Sequence, residues 1–447
     1  MEFNSYKLRN VLMEKGYIRG PFGSALKRSE LLQEGVPVYE QKNAIYNVRT
    51  FRYFVSKEKY EELKRFTVKP YDLLISCSGT VGRTSIITPK DPKGIISQAL
   101  LILRPDVNII NPYYLYYFFQ SKKGHNELIN RSSGSVQVNI AKRNIIENIS
   151  IDLPSISNQK KIVDFLSSLD NKINSNKNII ANLEELSKTL FKRWFVDFEF
   201  PDENGNPYKS SGGEMVDSEL GEIPEGWKIG HFSHFCKKPI AGDWGKEQKQ
   251  GNYVKPVRVI RGADINDYSK GGKGKSPIRF ILQKNFDNKK LISGDIIVEI
   301  SGGSPTQSTG RTLLINNKVL KNSEYELVCT NFCKVIRPLD EKFGEWLAYY
   351  FNYLYFRDVF FNYENGTTGI KNLDYKSIMN TMKIIAPSTQ ILNNFHNLIS
   401  KYKINIQYLG MENDYLTQLR DTLLPKLMSG EIEIPDDIEV NEDELSI

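Results

Sequence analysis

The chain has 447 residues, of which 40% are hydrophobic and 25% are charged, so it can fill the cores of roughly two or three domains and is neither fibrous nor disordered. It contains no run of about 18 apolar residues, and the opening MEFNSYKLRN lacks the apolar segment of a signal peptide, so we expect a cytoplasmic protein that contacts no membrane. The formal charge of +7 is compatible with a polyanionic partner, and four cysteines without a disulfide framework agree with a reducing compartment.

The first predicted module comprises residues 1–154 and mixes strands with helices. It opens with the turn-rich segment GYIRGPFGSALKRS, in which Gly and Pro interrupt regular structure. Two compact apolar runs, YDLLIS and QALLILRP, predict buried strands. The segment NPYYLYYFFQSKK then predicts an aromatic helix, and ISIDLP predicts the last strand of the module.

Residues 155–200 are predicted to form one long helix. Its apolar positions alternate in steps of four and three, which is the spacing of a coiled-coil seam rather than of an ordinary surface helix. A seam of about 33 residues would be roughly 50 Å long, so the helix needs a partner along its length. The seam positions are Ile162, Leu166, Leu169, Ile173, Asn176, Ile180, Leu183, Ser187, Leu190 and Trp194.

The second half of the chain repeats the first at an offset of 233 residues. Thr422-Leu423 repeats Thr189-Leu190, and Arg337-Pro338 repeats Arg104-Pro105. The segment DLLI, six residues before SGTVGRT, is echoed by DIIV before SGGSPTQSTGRT. The chain therefore consists of two copies of one unit, each a globular module followed by a long helix.

This repeat defines the predicted domains. The second module comprises residues 227–387, and residues 388–430 form the second long helix. Residues 201–226, dense in Gly, Pro and Ser, are predicted as a linker, and residues 431–447 as an acidic, solvated tail. We therefore predict an α/β (α+β) protein with two similar domains, each with a twisted mixed sheet, separated by two long antiparallel coiled-coil helices.

Each seam contains one asparagine, Asn176 in the first helix and Asn413 in the second. Joining two equivalent units suggests that the helices pair antiparallel about a pseudo-twofold axis. With that axis centred near residue 178, the two asparagines face each other in one layer. A buried asparagine pair weakens a coiled coil but fixes its register, so these residues are predicted to set the helix register.

We expect no catalytic site. The NPYY sequence at residues 111–114 resembles the acceptor-amine motif of amino-methyltransferases, but its second Pro is missing and no glycine-rich cofactor loop accompanies it. The sequence GSPTQSTGRT resembles a phosphate loop, but its spacing is wrong and Arg311 replaces the required Lys. Asp72 and Asp295, at equivalent places of the two modules, are predicted to have turn roles rather than metal-binding roles.

Metal ligands are also too few to predict a site. His231, His234 and Cys236 form the only local cluster of ligand residue types, and the first module has no equivalent. Cys77, Cys329 and Cys333 lie in apolar strands and are predicted to be small core residues. We therefore expect neither a metal nor a resident cofactor.

Polar and basic residues cluster in loops at corresponding places of the two modules. Such side chains contact phosphates and base edges in protein–DNA complexes, whereas a single polar loop is more often merely solvated. Their pairing across the modules makes them a candidate DNA-binding surface, with Gln137 and Asn139 as the candidates for base reading. The first module offers Lys27, Arg28, Arg49, Arg52, Ser78, Thr80, Arg83, Ser135, Gln137 and Asn139. The second offers Lys246, Lys249, Arg261, Lys273, Lys275, Thr306, Gln307, Arg311, Thr367, Lys371 and Asn372.

Over nearly its whole length, the sequence resembles the specificity subunits of type I restriction-modification systems. The motifs that carry the resemblance are IRGPFGSALK, GTVGRT, NPYYLYYFF, SSGSVQVNI, LPSISNQKKIVDFLSSLDNKI, LFKRWFVDFE, GEIPEGW and LRDTLLPKLMSGEI. Each motif is weak alone, but together, in this order and repeated, they are specific. The second module departs from the GPFGS motif, because PIAGDWGKE stands at the corresponding place.

The resemblance implies that each module is a target-recognition domain that reads one half of a bipartite, asymmetric target in double-stranded DNA. It also implies that the helices act as a ruler and dock two methyltransferase subunits, which bind S-adenosylmethionine, and that restriction subunits join this core. The chain itself would then be non-catalytic. Two alternatives remain open from the residues: a fused methyltransferase or nuclease with this recognition architecture, and a coiled-coil scaffold that binds only proteins.

Overall fold

The computed structural model describes residues 2–130, 139–304, 306–366 and 370–435. The chain forms two compact units. The first unit contains the chain up to Lys172 and from Leu416 onward, and the second contains residues Ile173–Tyr415. Each unit therefore combines one globular module with parts of both long helices.

The first module consists of short strands around one aromatic helix. Its strands are β1 (Asn4–Lys7), β2 (Leu12–Arg19), β3 (Val36–Tyr39), β4 (Phe54–Val55), β5 (Leu73–Ser76), β6 (Thr84–Ile86), β7 (Ile95–Ile96), β8 (Leu100–Pro105), β9 (Ile129–Asn130), β10 (Asn139–Ile140) and β11 (Ser150–Leu153). Its helices are α1 (Gln41–Ile45), α2 (Lys57–Glu62), α3 (Pro112–Gln120), α4 (Lys122–Leu128) and α5 (Arg143–Glu147). The first long helix, α6 (Ile156–Phe195), follows β11.

The second module has a similar series of elements. Its strands and those of the preceding segment are β12 (Met215–Val216), β13 (Ile223–Pro224), β14 (Lys228–His231), β15 (Ile240–Ala241), β16 (Tyr253–Ile260), β17 (Ile278–Leu282), β18 (Ile296–Glu299), β19 (Ser301–Gly302), β20 (Thr312–Leu314), β21 (Leu327–Cys329), β22 (Cys333–Ile336), β23 (Glu364–Asn365), β24 (Lys371–Leu373) and β25 (Lys383–Ala386). Its helices are α7 (Ile265–Ser269), α8 (Gln283–Lys289), α9 (Asn317–Lys321), α10 (Phe343–Phe356) and α11 (Tyr375–Thr381), followed by the second long helix, α12 (Thr389–Ser429).

The two modules share one sheet topology. In the first, an antiparallel sheet has the order β2-β8-β5-β6, and in the second the equivalent sheet has the order β15-β22-β18-β20. In the first, β3 pairs antiparallel with β4 and parallel with β7; in the second, β16 pairs in the same way with β17 and β21. The first and last strands also pair in each module, β1 with β11 and β14 with β25. The predicted internal repeat and mixed sheets are therefore confirmed.

An equivalent buried ion pair links the ends of the two inner strands of the main sheet in each module. Arg104 Nε lies 2.7 Å from Asp72 Oδ1, and Arg337 Nε lies 2.7 Å from Asp295 Oδ1. Each carboxylate also accepts the backbone N–H of the residue three positions before it, which closes a turn before the strand. The predicted turn roles of both aspartates are confirmed, and each arginine additionally neutralises the carboxylate that the strand buries.

Each module packs its main sheet against its aromatic helix and the long helices. In the first unit, Leu101 and Tyr114 share a buried core with Leu166 of α6 and Leu424 of α12. In the second unit, Trp346 shares a core with Trp194 of α6 and Phe395 of α12. The apolar stripe of each long helix is thereby buried, which stabilises a helix that would otherwise expose it. Among the described helices, none is long and apolar enough to cross a membrane.

The long helices run antiparallel in the second unit. The ring centroids of Trp194 and Phe395 lie 5.7 Å apart, and Asn176 Nδ2 lies 3.1 Å from Asn413 Oδ1, so residue numbers rise along one helix as they fall along the other. In the first unit, Arg420 Nη1 lies 2.7 Å from Asp170 Oδ1. The two asparagines are thus in contact, as the seam register predicts.

The segment predicted as a linker packs onto the second module rather than forming an open tether. The rings of Phe200 and Trp227 stack with centroids 5.2 Å apart, and the rings of Phe200 and Tyr208 stack with centroids 4.6 Å apart. Ile223 in β13 is 3% exposed. The Gly, Pro and Ser residues indicate its turns, but the aromatic residues between them join the core of the second unit.

Candidate nucleic-acid interface

In the first module, a short glycine-containing loop connects β5 to β6. Ser76 accepts a hydrogen bond from the backbone N–H of Arg83 at 3.0 Å and donates one to the Thr80 carbonyl at 2.6 Å. Gly79 and Gly82 have φ angles of +63° and +78°, which favour glycine. The loop is therefore closed from inside by Ser76, while the predicted residues Ser78, Thr80 and Arg83 are exposed.

Helix α1 lies beside this loop and contributes a residue that the sequence did not indicate. Gln41 Nε2 donates to Ser78 Oγ at 2.6 Å and also to the Ser78 carbonyl. The nearby GPFGS turn begins where Gly20 lies against Ser97, leaving no room for a side chain at position 20. Lys27 and Arg28, which follow that turn, are both exposed.

The two other predicted arginines of the first module differ in their surroundings. Arg49 Nη2 lies 2.9 Å from Asp91 Oδ2 and donates to the Ile86 carbonyl at 2.8 Å. Arg52 is exposed, and its guanidinium lies 4.8 Å from the centroid of the Tyr53 ring. Arg49 therefore joins two loops within the module, whereas Arg52 remains accessible to a ligand.

Some predicted residues lie outside the described residues. These are Ser135, Gln137 and Thr367. Asn139 begins β10, and its backbone pairs with Asn130 of β9. Of the two base-reading candidates, Asn139 therefore lies in β10 and Gln137 lies outside the described residues, and the role of both stays a prediction.

In the second module, the 299–311 loop and the β23–β24 hairpin form one polar surface. Strand β19 of the loop pairs with β24 of the hairpin. Glu364 joins them, because it accepts from Thr309 Oγ1 at 2.9 Å and from Lys371 Nζ at 2.8 Å. Gln307 Nε2 donates to the Tyr355 hydroxyl at 2.9 Å. The predicted residues that meet on this surface are Thr306, Gln307, Arg311, Lys371 and Asn372.

The equivalent arginines of the two loops have different partners. Arg311 donates to both carboxylate oxygens of Glu299, at 2.8 and 2.6 Å, and this bond raises the pKa of Arg311. The position of Glu299 at the end of β18 corresponds to that of Ser76 at the end of β5. Arg83 consequently has no carboxylate partner among the described residues. This difference could have been predicted from the sequence, because the first module has Ser76 and the second has Glu299 at equivalent places before the GRT motif.

Arg261 has a structural partner as well. It makes two hydrogen bonds to Asp264, at 2.8 and 2.9 Å, and a third to the Lys275 carbonyl. Burial opposes ionisation of Asp264, but the hydrogen bonds from Arg261 and from the Lys275 backbone outweigh it and lower the pKa of Asp264. Lys246 and Lys249 are exposed on the loop before β16, and Lys273 and Lys275 are exposed after α7.

Each unit has a basic groove beside its GRT loop. The groove of the first unit has a volume of about 860 Å³, and that of the second has about 540 Å³. Cationic side chains outnumber anionic ones in both, and such grooves raise the local concentration of anionic ligands. The cationic residues of the first are Arg83, Lys122, Lys123 and Arg420, and those of the second are Lys188, Lys270, Arg311 and Lys403.

The candidate surfaces consist mainly of basic, amide and hydroxyl side chains. Within the described ranges, no three histidine, cysteine, aspartate or glutamate side chains are grouped so that they could hold a metal ion. Burial raises the pKa of the Cys77, Cys236 and Cys329 thiols to about 12, so these cysteines are protonated near neutral pH. The prediction that Cys77, Cys329 and Cys333 are buried core residues is confirmed.

Known proteins resemble this chain in sequence and in fold. Residues 22–185 match the family model of the type I restriction modification DNA specificity domain. Over 410 residues the chain is 25% identical to the MjaIX type I restriction enzyme specificity subunit of Methanocaldococcus jannaschii, covering 87% of this chain and 85% of that protein. It is 24% identical over 384 residues to the HindI specificity subunit of Haemophilus influenzae, covering 76% of this chain and 81% of that protein. The chain is therefore similar in sequence to type I specificity subunits.

A solved specificity subunit has the same fold. The S subunit of a type I restriction-modification system from M. genitalium superposes with a TM-score of 0.55 over 96% of each chain, at 14% identity. This agrees with the two modules and two long helices described above.

Proposed function

We propose that this chain is the specificity subunit of a type I restriction-modification complex. It would select the DNA sequence on which the complex acts, each module reading one half of a bipartite target in double-stranded DNA. The observation that carries this proposal is the repeat of one topology with two different polar loop surfaces. Equal scaffolds orient the two loop sets in the same way within each module. Different side chains on those loops would then read different base sequences, so the target is asymmetric.

The loops differ in charge as well as in sequence. Arg83 is available for a phosphate contact, because Ser76 stands where Glu299 holds Arg311 in the second module. Arg52, Lys27 and Arg28 add accessible positive charge to the first module. Such residues would position the duplex, and residues near the β9–β10 and β23–β24 hairpins would contact base edges.

The helix pair would hold the two modules at a fixed spacing and dock two methyltransferase subunits. Large apolar side chains remain exposed on the long helices within the second unit, with Leu186 43%, Ile404 39% and Tyr415 65% exposed. Exposed apolar surface of this kind fits a partner protein. The methyltransferase subunits would bind S-adenosylmethionine and restriction subunits would join the complex, while this chain binds no cofactor and catalyses no step.

DNA recognition and methyl transfer would belong to different subunits. Both modules belong to one chain. Once one module has bound its half-site, binding of the other is therefore effectively intramolecular, so neither module needs high affinity alone. The base to be methylated must leave the helical stack to reach a catalytic pocket. That step would belong to the methyltransferase subunits, which supply the pocket.

The proposal is tested by co-expressing the chain with its cognate methyltransferase subunit and mapping methylated adenines across a genome. We expect one bipartite, asymmetric motif with a constant number of unspecified bases between its halves. Neither the chain alone nor the methyltransferase alone should methylate DNA. Methyl transfer by the purified chain, or methylation in a single continuous motif, would contradict the proposal.

A further inference from the structure

One face of helix α12 lies against the loop that follows α7, and both belong to the second unit. At Gly410 the helix backbone is so close to this loop that a Cβ atom would collide with the Lys270 carbonyl and lie 2.6 Å from Gly271 Cα. Glycine destabilises the interior of a helix, because it loses more conformational freedom on folding than any other residue. Its presence here is explained by the close approach of the loop.

Two neighbouring residues on this face also contact the end of α7 and the loop after it. Gln407 is 3% exposed, and its Nε2 donates to the Tyr268 carbonyl at 3.0 Å. Asp414 accepts a hydrogen bond from the Lys273 backbone. Positions 407, 410 and 414 are spaced by three and four residues, so they lie on one face of the helix. The contact is therefore continuous over two turns.

The loop is shaped for this contact. Gly271 has a φ angle of +85°, and a Cβ atom there would lie 2.7 Å from the Gln407 carbonyl oxygen. Glycine is thus needed on both sides of the interface, in the loop and in the helix. The exposed side chains of Lys273 and Lys275 project from a loop whose backbone is fixed against α12.

The corresponding positions of the first long helix are different. At the repeat offset, Gln407, Gly410 and Asp414 correspond to Asn174, Lys177 and Ala181, all of which are exposed. Contact at these positions is therefore not a general requirement of the seam. It is a feature of the second helix and the second module.

We propose that Gln407, Gly410 and Asp414, together with residues 268–273 at the end of α7 and in the loop after it, form a clamp that fixes the second recognition module to the spacer helix. This inference rests on the proposed function. A module held by backbone contact on a rigid helix has one orientation, so the clamp helps to set the number of bases between the two half-sites. Gly410 and Gln407 are positioning residues that need not touch DNA.

The clamp is tested with Gly410→Ala in the full complex with its methyltransferase. Alanine is the better helix former, so without the contact this change would raise the stability of the protein. We expect a lower melting temperature and methylation at sites whose spacer is one base pair longer or shorter, with both half-sites unchanged. Lys177→Ala, the change at the equivalent position of the first helix, should leave melting temperature and spacer as in wild type.

A second variant, Gln407→Met, decides the matter if Gly410→Ala does not fold. Methionine keeps the volume and removes the amide that donates to the Tyr268 carbonyl, so the spacer length should again become less strict. A folded variant of either kind that keeps the wild-type spacer would overturn the clamp. Failure of the proposed function is distinguishable, since the wild-type complex would then yield no bipartite motif.

Discussion

Arg83 and Arg311 occupy equivalent loop positions, but one carboxylate separates their roles. Glu299 is 4% exposed and binds Arg311 through two hydrogen bonds, whereas Ser76 leaves Arg83 unpaired among the described residues. A free arginine can release a counterion from DNA when it binds a phosphate, whereas a paired arginine must first leave its partner. Both modules have an arginine at this position. Whether that arginine is free to bind a phosphate depends on its neighbour, which is Ser76 in the first module and Glu299 in the second.

We expect Arg83→Ala to reduce the slope of log affinity against log salt concentration by about 0.9, because one phosphate contact is lost. The measurement is a DNA-binding titration of the complex at several salt concentrations. Lys64→Ala is the matched control, since it removes one positive charge that is already paired with Glu61 at 2.8 Å. An unchanged slope for Arg83→Ala would exclude this residue from phosphate contact.

At the scale of elements, the asparagine layer is a polar interruption of a mostly apolar seam. Asn176 is 1% exposed, and its Nδ2 donates to Glu412 Oε2 at 2.6 Å and to Asn413 Oδ1 at 3.1 Å. Asn176 Oδ1 is buried without a hydrogen-bond partner among the described residues. Such a layer reduces stability but penalises every register in which the two amides do not meet.

Replacing both asparagines, Asn176→Leu with Asn413→Leu, is therefore expected to raise the free energy of unfolding by about 1–3 kcal/mol. The gain comes from removing a buried unsatisfied oxygen, and denaturant unfolding measures it. Ile180→Leu, one turn away in the same seam, is the control and should change stability little. Loss of stability in the double variant would show that the polar layer stabilises the helix pair.

Local sequence patterns predicted the elements well. The seam spacing placed the long helices at 155–200 and 388–430, and α6 and α12 span Ile156–Phe195 and Thr389–Ser429. Apolar runs likewise predicted β5 and β8. Both predictions succeeded because a buried strand or helix face leaves a recognisable pattern of apolar residues in the sequence. Interactions between segments left no such signal. The glycine-rich segment after α7 was predicted only as a DNA-contact loop, whereas its backbone packs against Gly410 of α12.

At the scale of the whole molecule, the two modules share one topology, so we expect that one of them can be exchanged for a module of another specificity subunit. The natural junctions are the end of α6 at Phe195 and the start of α12 at Thr389. A junction at Trp227 would instead divide the aromatic cluster in which Phe200 stacks on Trp227. The segment before Trp227 should therefore travel with the module.

Exchanging residues 196–387 for the corresponding segment of another specificity subunit is expected to change one half-site of the methylated motif. The other half-site should stay as in wild type, because the first module is untouched. The measurement is the methylation map of the co-expressed complex. A second chimera that exchanges residues 227–387 alone serves as the comparison. We expect this chimera to melt at a lower temperature, because Phe198, Phe200 and Tyr208 would then pack against a foreign residue in place of Trp227. A change in both half-sites would mean that the modules do not read DNA independently.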